Sequence, residues 1–358
     1  MKTSTFFKQA ILYIFLGFMS LTLSAQTTHI VNNNAGASTD FTSLQAAIDA
    51  ATGGDIIYVQ HSPTTYGAIT VNKAITIIGR SRGDNGYIST VGTITLTTGA
   101  SNVTLKGLKI SSISDNSASN GSNLTDLSIF DCDFTSSMSI GFYANIDNIL
   151  MQGNIFRSTF RLYGKTSNIL VTNNLFLGST NQFYTTDTLL FSNNVVAAAG
   201  SGADLTNSST SGLLNISNSI FVINSSANRQ IDLNVGSGTI QVDNCISYNY
   251  NTTYTYNFET GTGITINGNV QSNINPLFTN IDNTVSQSVA GTSSGYDPGI
   301  DDLTLQGGST VTDDGLHEAY NFKPFGTPTG YPSLKVTTYS PTVPKNGNLS
   351  VTIEAKTN

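Results

Sequence analysis

Two aspartates and two arginines on neighbouring segments of the chain have the residue types of a catalytic site. Asp131 and Asp133 flank Cys132, and Arg157 and Arg161 follow in the next segment. Because Cys132 is expected to point inward, both aspartates should face solvent. Aspartate oxygens can hold Ca²⁺ against a substrate carboxylate, and an arginine can act as the base of a β-elimination. These residues meet the minimum requirement for a polysaccharide lyase centre, but solvated surface charges in weak pairs are the favoured interpretation.

Tyrosines form a second candidate site, suited to binding sugars. Tyr143 and Tyr163 are predicted to match one turn apart, with Tyr184 near the next, while Tyr248 and Tyr250 crowd a later turn. Exposed aromatic rows can stack on sugar rings and offer hydroxyl contacts. A glycan-binding face is one interpretation of the pattern, and the favoured one is that tyrosine simply suits the half-buried surface of an ordinary strand.

Other catalytic arrangements have no support in the sequence. His29, His61 and His317 are scattered along the chain, so neither a metal site nor a Ser/His triad is predicted. The aspartate pairs at 301–302 and 313–314 are interpreted as turn residues.

A repeat positions these residues. It is clearest in segments 149–156, 169–176 and 189–196, each a short apolar strand, a polar pair and apolar residues again. Equivalent positions, 20 to 26 residues apart, are Gly107, Asp131, Gly153, Asn173, Asn193, Asn218, Asn244 and Gly268. A short strand with one apolar face cannot bury that face alone, whereas stacked turns pair its backbone groups and build a continuous core. The repeat therefore predicts a β-solenoid.

The next position in each turn should stack along the solenoid axis. Its occupants are Cys132, Asn154, Asn174, Asn194, Ser219, Cys245 and Asn269. Stacked asparagines can hydrogen-bond along a column, so an asparagine ladder is predicted, with cysteine or serine on some rungs. Cys132 and Cys245 would lie five turns apart, about 24 Å at ~4.8 Å per turn, far beyond bridging distance. Two buried thiols without a disulfide are predicted.

The phrase I-x-N-N-x-F resembles the repeat of the pectin-lyase-like group of proteins, over roughly Phe41 to Phe325. The resemblance implies an all-β fold, a single right-handed parallel β-helix. It implies no particular activity, because the group contains lyases, hydrolases, esterases and proteins without enzymatic activity.

The opening from Asp40 to Gly79 is similar to the start of pectin methylesterases. The motifs that carry catalysis in those enzymes, such as Q-D-T-L, D-F-I-F-G and L-G-R-P-W, are absent, and the chain has no tryptophan. The polygalacturonase motifs N-T-D, G-H-G and R-I-K are absent as well. The similarity therefore covers the cap and the first turns.

One helix is predicted between Asp40 and Asp55, where it should cover the open first turn of the solenoid. Thr42 and Gln45 form a capping-box pattern at its start, and Gly53-Gly54 should end it. Its apolar face comprises Leu44, Ala47, Ile48 and Ala51.

Three segments are predicted along the chain. Residues 1–25 resemble a secretory signal, with Lys2 and Lys8 before an apolar run too short for a comfortable membrane span. Residues 26–326 form the β-helix domain. Residues 327–358 contain two alternating strands and are interpreted as a β-hairpin cap or tail.

The charge balance limits the partners. The chain has 15 Lys+Arg and 22 Asp+Glu, and loss of Lys2 and Lys8 with the signal would leave a balance of −9. An acidic, charge-poor surface gives no support for nucleic-acid binding. No membrane span is expected after signal removal, and extracellular polysaccharide or cell-surface glycan is the expected partner.

Three functions remain open from the sequence. The preferred one is a secreted or cell-surface scaffold that binds glycans without catalysis and without a cofactor. The second is a lyase that acts on uronic-acid-containing polysaccharide by Ca²⁺-assisted β-elimination. The third is a purely structural surface protein.

Overall fold

The computed structural model describes residues 26–82, 87–115, 123–141, 145–178, 180–185, 187–197, 202–207, 212–280, 301–310, 332–339 and 351–357. The described chain is an all-β parallel solenoid of about nine turns with one helix, which confirms the predicted fold class. The signal-like segment 1–25 lies outside the described residues.

The turns stack into three parallel sheets. The first contains β1 (Thr28–Val31), β2 (Ile56–Val59), β4 (Thr76–Gly79), β6 (Thr104–Lys106), β8 (Asn123–Phe130), β11 (Asn145–Gln152), the end of β13 (Phe160–Thr172), β16 (Thr188–Ser192), β19 (Leu213–Ser217), β22 (Thr239–Asp243) and β25 (Ile264–Ile266). The second contains the start of β5 (Thr90–Leu96) and of β7 (Lys109–Ser114), β9 (Asp133–Phe134), β12 (Ile155–Phe156), β14 (Leu175–Phe176), β17 (Val195–Ala197), β20 (Ile220–Ile223), β23 (Ile246–Asn249) and β26 (Gln271–Ser272). The third contains β3 (Ile69–Val71), the end of β5 and of β7, β10 (Met138–Ile140), the start of β13, β15 (Thr180–Thr185) and β18 (Asp204–Asn207), continued by β21 (Arg229–Ile231) and β24 (Tyr256–Phe258).

A left-handed residue makes the corner between the first and second sheets. The predicted positions from Gly107 to Asn244 all have φ between +45° and +72°. Glycine, asparagine and aspartate tolerate this conformation best, which explains their recurrence. Gly268 is the exception, because it lies in the last, irregular turn and is not left-handed. A second left-handed column, which the sequence analysis missed, comprises Asn102, Asp126, Asn148 and Asn168.

The asparagine ladder is confirmed along this corner. The side-chain oxygen of Asn174 accepts a hydrogen bond from the backbone N–H of Asn154 (2.9 Å), and Asn194 does the same for Asn174 (2.8 Å). Ser219 accepts from Asn194 (3.1 Å), and the sulfur of Cys245 accepts from Ser219 (3.4 Å). These rungs are fully buried. The ladder thus satisfies buried N–H groups at the place where the chain changes sheets.

Both cysteines belong to the ladder column, and neither forms a disulfide. Cys132 and Cys245 are fully buried, as predicted from their shared column. Burial raises the pKa of the Cys132 thiol to about 12, so this thiol stays protonated at neutral pH. A protonated, buried thiol is unreactive, which makes Cys132 a structural residue.

A column of phenylalanines stacks just after this corner, at the second residue of each of the strands β9, β12 and β14 in the second sheet. The ring centroids of Phe134 and Phe156 are 5.1 Å apart, and those of Phe156 and Phe176 are 4.9 Å apart. All three side chains are buried in the main core. These residues are the F of the repeated phrase. Their aromatic contacts stabilise the stack of turns beyond the contribution of the buried apolar area.

The predicted helix is present as α1, Leu44–Ala50, and its apolar face is buried against the first turns. Its start differs from the prediction by one residue. Ser43, rather than Thr42, is the N-cap, and its Oγ accepts a hydrogen bond from the N–H of Ala46. Gln45 makes no capping box, because its Oε1 accepts from the N–H of Thr70 in β3 (2.7 Å). Gln45 therefore fastens the cap to the solenoid.

The regular repeat ends after β26, and antiparallel pairs follow. β27 (Phe278–Asn280) pairs with β28 (Asp302–Leu305). β29 (Pro332–Tyr339) pairs with β30 (Val351–Thr357) as a hairpin, where two strands were predicted. Phe278 and Leu303 join a second apolar cluster on the outer side of the second sheet, together with Ile155, Leu175, Leu177, Val195, Ala197, Ile220, Val222 and Ile246.

Replacement of a ladder rung should destabilise the solenoid. Asn174→Ala removes the acceptor of the buried Asn154 N–H, so we expect a loss of about 1–3 kcal/mol in the free energy of unfolding. Urea denaturation followed by circular dichroism measures this loss. The matched control is Asn173→Gly, because glycine adopts the same left-handed φ. An Asn174→Ala variant as stable as this control would contradict the role of the ladder.

Candidate functional site

The structure corrects the predicted position of Asp133. This residue points to the outer side of the second sheet but is only 4% exposed. The reason is that the outer side is itself covered: the residues that follow Asp133 in its column, Ile155 and Leu175, are buried in the second apolar cluster. Alternation along a strand predicts the side of the sheet but not whether that side reaches solvent.

Asp133 and Arg157 form a largely buried ion pair, with side chains 6% and 18% exposed. The Nε and Nη2 of Arg157 donate to the two carboxylate oxygens of Asp133 at 2.8 and 3.0 Å. This two-point contact is among the stronger side-chain hydrogen-bond arrangements. It neutralises both groups, so a lyase mechanism that used Asp133 for a cation and Arg157 for a proton would first have to break the pair.

Asp131 lies apart from this pair, in a cationic environment. Its carboxylate is 3.6 Å from Nη1 of Arg82, and Arg82 also donates to the carbonyl oxygen of Gly153. Burial lowers the pKa of the nearby Lys106, and the charge of Asp131 opposes that shift. Within the ranges that the structure describes, no group of three histidines, cysteines or acidic residues has the arrangement of a metal site.

Arg161 is separated from the aspartates by its place in the third sheet. It pairs with Ser139 on the preceding turn and with Gln182 on the following one. Its Nε donates to Oε1 of Gln182 at 2.7 Å. The four predicted lyase residues therefore divide into a largely buried ion pair, an aspartate among cations, and an arginine on another sheet.

Tyr163 and Tyr184 are brought together as predicted. The two rings lie 4.9 Å apart with an angle of 37°. Ile140 pairs with Leu162, so Gly141 is the residue opposite Tyr163. Paired residues of these two turns are 22 positions apart in the sequence. Tyr143 lies outside the described residues.

Tyr163 and Tyr184 belong to a four-residue outward array, here named the Tyr–Arg face: Arg161, Tyr163, Gln182 and Tyr184. In both strands the intervening residues, Leu162 and Phe183, are fully buried. The four side chains of the face are half-buried, with their inner parts supported and their outer parts in solvent. The face thus combines two aromatic rings with a guanidinium and an amide.

Tyr248 and Tyr250 lie elsewhere, on the outer side of the second sheet. Their rings meet edge to face at 5.1 Å, and both pack against the second apolar cluster. Tyr250 lines a cavity at the closing segment of the solenoid. The described tyrosines among those predicted therefore form two separate pairs on different sheets.

Three carboxylates lie on successive later turns along the third sheet, and they were not predicted from the sequence. The backbones of Asp204 and Asp232 form an isolated parallel β-bridge. The pairing of β21 with β24 places Asp232 beside Glu259 on the following turn. Partial burial, then the charges of Glu259 and Asp204, raise the pKa of Asp232. Their spacings of 28 and 27 residues are near the repeat length, which was the available signal.

Comparison with family models, with curated proteins and with solved structures gave no match. The class of the protein is therefore defined by its architecture: a parallel β-solenoid of about nine turns, consistent with a pectin-lyase-like β-helix. Within the described part of the chain, no helix has the length and apolar character to cross a membrane.

Loss of Asp133 alone should be costly. Asp133→Ala leaves the largely buried Arg157 charge without its carboxylate, so we expect a loss of about 3–5 kcal/mol in unfolding free energy. The double variant Asp133→Leu/Arg157→Met removes both charges and should recover most of that loss. Chemical denaturation of the three proteins tests this. Equal loss in the single and double variants would exclude a pairwise role.

The carboxylate column should weaken the fold at neutral pH. Because the pKa of Asp232 is raised in the folded protein, its favourable contribution is present below about pH 4 and is lost as pH rises through the folded pKa. Asp232→Asn should therefore raise the melting temperature slightly at pH 7 and change little at pH 3, the gain being small because Asp232 is exposed and solvent screens its charge. A gain of equal size at both pH values would rule out charge repulsion as its cause.

Proposed function

We propose that this protein is a secreted or cell-surface scaffold that binds a glycan chain on its Tyr–Arg face, without catalysis. The observation that carries the proposal is the stacked pair Tyr163–Tyr184 beside the hydrogen-bonded pair Arg161–Gln182. Successive turns repeat at ~4.8 Å, so these four side chains form one continuous platform along the solenoid axis.

The chemistry of this platform matches a sugar chain. Tyrosine rings offer apolar area to the C–H faces of sugar rings, and their hydroxyls add polar contacts. Arg161 is oriented by its bond to Gln182, and a guanidinium has further N–H donors for sugar hydroxyls or a carboxylate. Because the inner parts of the side chains are already packed, little side-chain freedom is lost on binding.

Export is part of the proposal and rests on the signal-like segment 1–25. The low proportion of charged residues, 10%, fits a surface that binds through stacking and neutral hydrogen bonds rather than through bulk charge. The lyase alternative is less favoured, because Asp133 and Arg157 neutralise each other and Arg161 lies on another sheet. A purely structural protein would bind no glycan.

Removal of the two rings should weaken glycan binding. The double variant Tyr163→Ala/Tyr184→Ala should lose at least tenfold in affinity, because truncation of each stacking ring typically costs about 1 kcal/mol or more. A panel of neutral and uronic-acid polysaccharides identifies the ligand of the wild-type protein, and calorimetry then gives the affinities. The matched control is Tyr87→Ala, which removes a tyrosine that is 46% exposed and lies outside the face.

The same panel separates the three functions. Binding that depends on Tyr163 and Tyr184, without new reducing or unsaturated ends, supports the scaffold. Unsaturated ends that absorb in the ultraviolet and require Ca²⁺ would show a lyase. The absence of binding to every polysaccharide would leave the structural alternative. Arg161→Gln distinguishes ligand types, because it should weaken binding of a uronic-acid chain more than binding of a neutral chain.

A further inference from the structure

A cavity of about 280 Å³ lies at the closing segment of the solenoid. Tyr250, Asn275, Leu277, Thr279 and Gln306 are among its lining residues. It is remote in topology from the Tyr–Arg face, because it combines the end of the second sheet with β27 and the turn after β28. Its volume lies just below the range of pockets for drug-sized ligands, so it suits one small ring.

Tyr250 has a polar group without a partner. Its hydroxyl oxygen is closed to solvent and makes no hydrogen bond in the structure. Buried tyrosine hydroxyls normally have a partner, so an exception calls for an explanation. Tyr250 lines the cavity, and its ring is in edge-to-face contact with that of Tyr248.

Leu277, in the cavity wall, has a strained backbone. Its φ is +53°, and every other left-handed non-glycine residue in the described ranges is an asparagine or aspartate. Two contacts impose this conformation: the N–H of Leu277 donates to Oδ1 of Asn275, and its carbonyl accepts from the N–H of Gln306, both at 2.9 Å. Strain of this kind is concentrated at ligand sites, and here it coincides with a cavity and an unsatisfied hydroxyl.

The lining is polar but carries no charge. Gln306 donates through Nε2 to the carbonyl of Phe278 (2.8 Å), which leaves its Oε1 as an acceptor. Asn275 uses Oδ1 for Leu277, which leaves its Nδ2 as a donor. Burial, then the charges of Tyr248 and of the buried Asp301, raise the pKa of Tyr250, so a negative charge beside this hydroxyl is disfavoured and an anionic ligand is not expected.

We propose that this cavity binds a single neutral sugar ring, as a second glycan subsite. A ligand hydroxyl supplies the missing partner of Tyr250, and the amides of Gln306 and Asn275 bond further hydroxyls. Because the Tyr250 hydroxyl is closed to solvent, the wall must shift slightly, and Leu277 is the wall residue whose backbone relaxes by moving. The subsite goes beyond the proposed function, because it does not depend on the Tyr–Arg face.

Tyr250→Phe tests the proposal with two measurements. Glucose, galactose, mannose and xylose are titrated into the wild-type protein and followed by ligand-observed NMR, with glucuronate as the charged comparison. We expect saturable binding of at least one neutral sugar and at least tenfold weaker binding by Tyr250→Phe. The melting temperature of this variant should be equal or higher, because an unsatisfied buried hydroxyl has been removed.

Two controls keep the outcomes distinct. Tyr248→Phe removes the neighbouring hydroxyl, which is not part of the cavity lining, and should leave the affinity for the monosaccharide unchanged. Tyr163→Ala/Tyr184→Ala should also leave it unchanged while polysaccharide binding is lost, so either site can fail independently of the other. The proposal is overturned if no neutral sugar binds, if Tyr250→Phe binds as well as the wild type, or if glucuronate binds more tightly.

Discussion

The hydrogen bond from a backbone N–H to the side-chain oxygen of the next rung is the interaction on which the solenoid depends. At the corner between the first and second sheets the chain leaves regular strand pairing, and its buried N–H groups need another acceptor. Asn154, Asn174 and Asn194 provide it, one residue after a left-handed position. A rung that bonds to the preceding turn also fixes the register of that turn at this corner, so the outward columns beside the corner are aligned by this interior contact.

This alignment decides what chemistry the surface can perform. A side chain on one turn lies next to the equivalent side chain of the following turn, at the spacing between strands. Residues of the same type in one column therefore interact with each other, favourably or unfavourably. Stacking is favourable where Tyr163 meets Tyr184, whereas repulsion results where Asp232 lies between two other carboxylates. Function on such a surface arises from what recurs across turns, and a short motif within one turn carries little of it.

Much of the fold and part of the candidate site could be predicted, and the failures have definable causes. The ladder, the buried thiols and the apolar face of α1 followed from the repeat and from helix periodicity. The burial of Asp133 did not, because the outer side of the second sheet is covered by residues distant in sequence. Arg161 was grouped with the aspartates although a corner between sheets separates them, because the spacing of residues along the chain does not show where the corners fall.

The sequence by itself determined the period, the corner residues and the inward columns. These features are local: a left-handed residue, a rung and an apolar strand recur at each turn, and hydrogen bonding between adjacent turns needs only that recurrence. Only the tertiary structure decided which outward residues reach solvent and which meet each other. The Asp133–Arg157 pair, the Tyr–Arg face and the cavity at Tyr250 each depend on contacts between separate turns or on the closing segment. Their geometry is set by loop lengths and long-range packing, which periodicity does not encode.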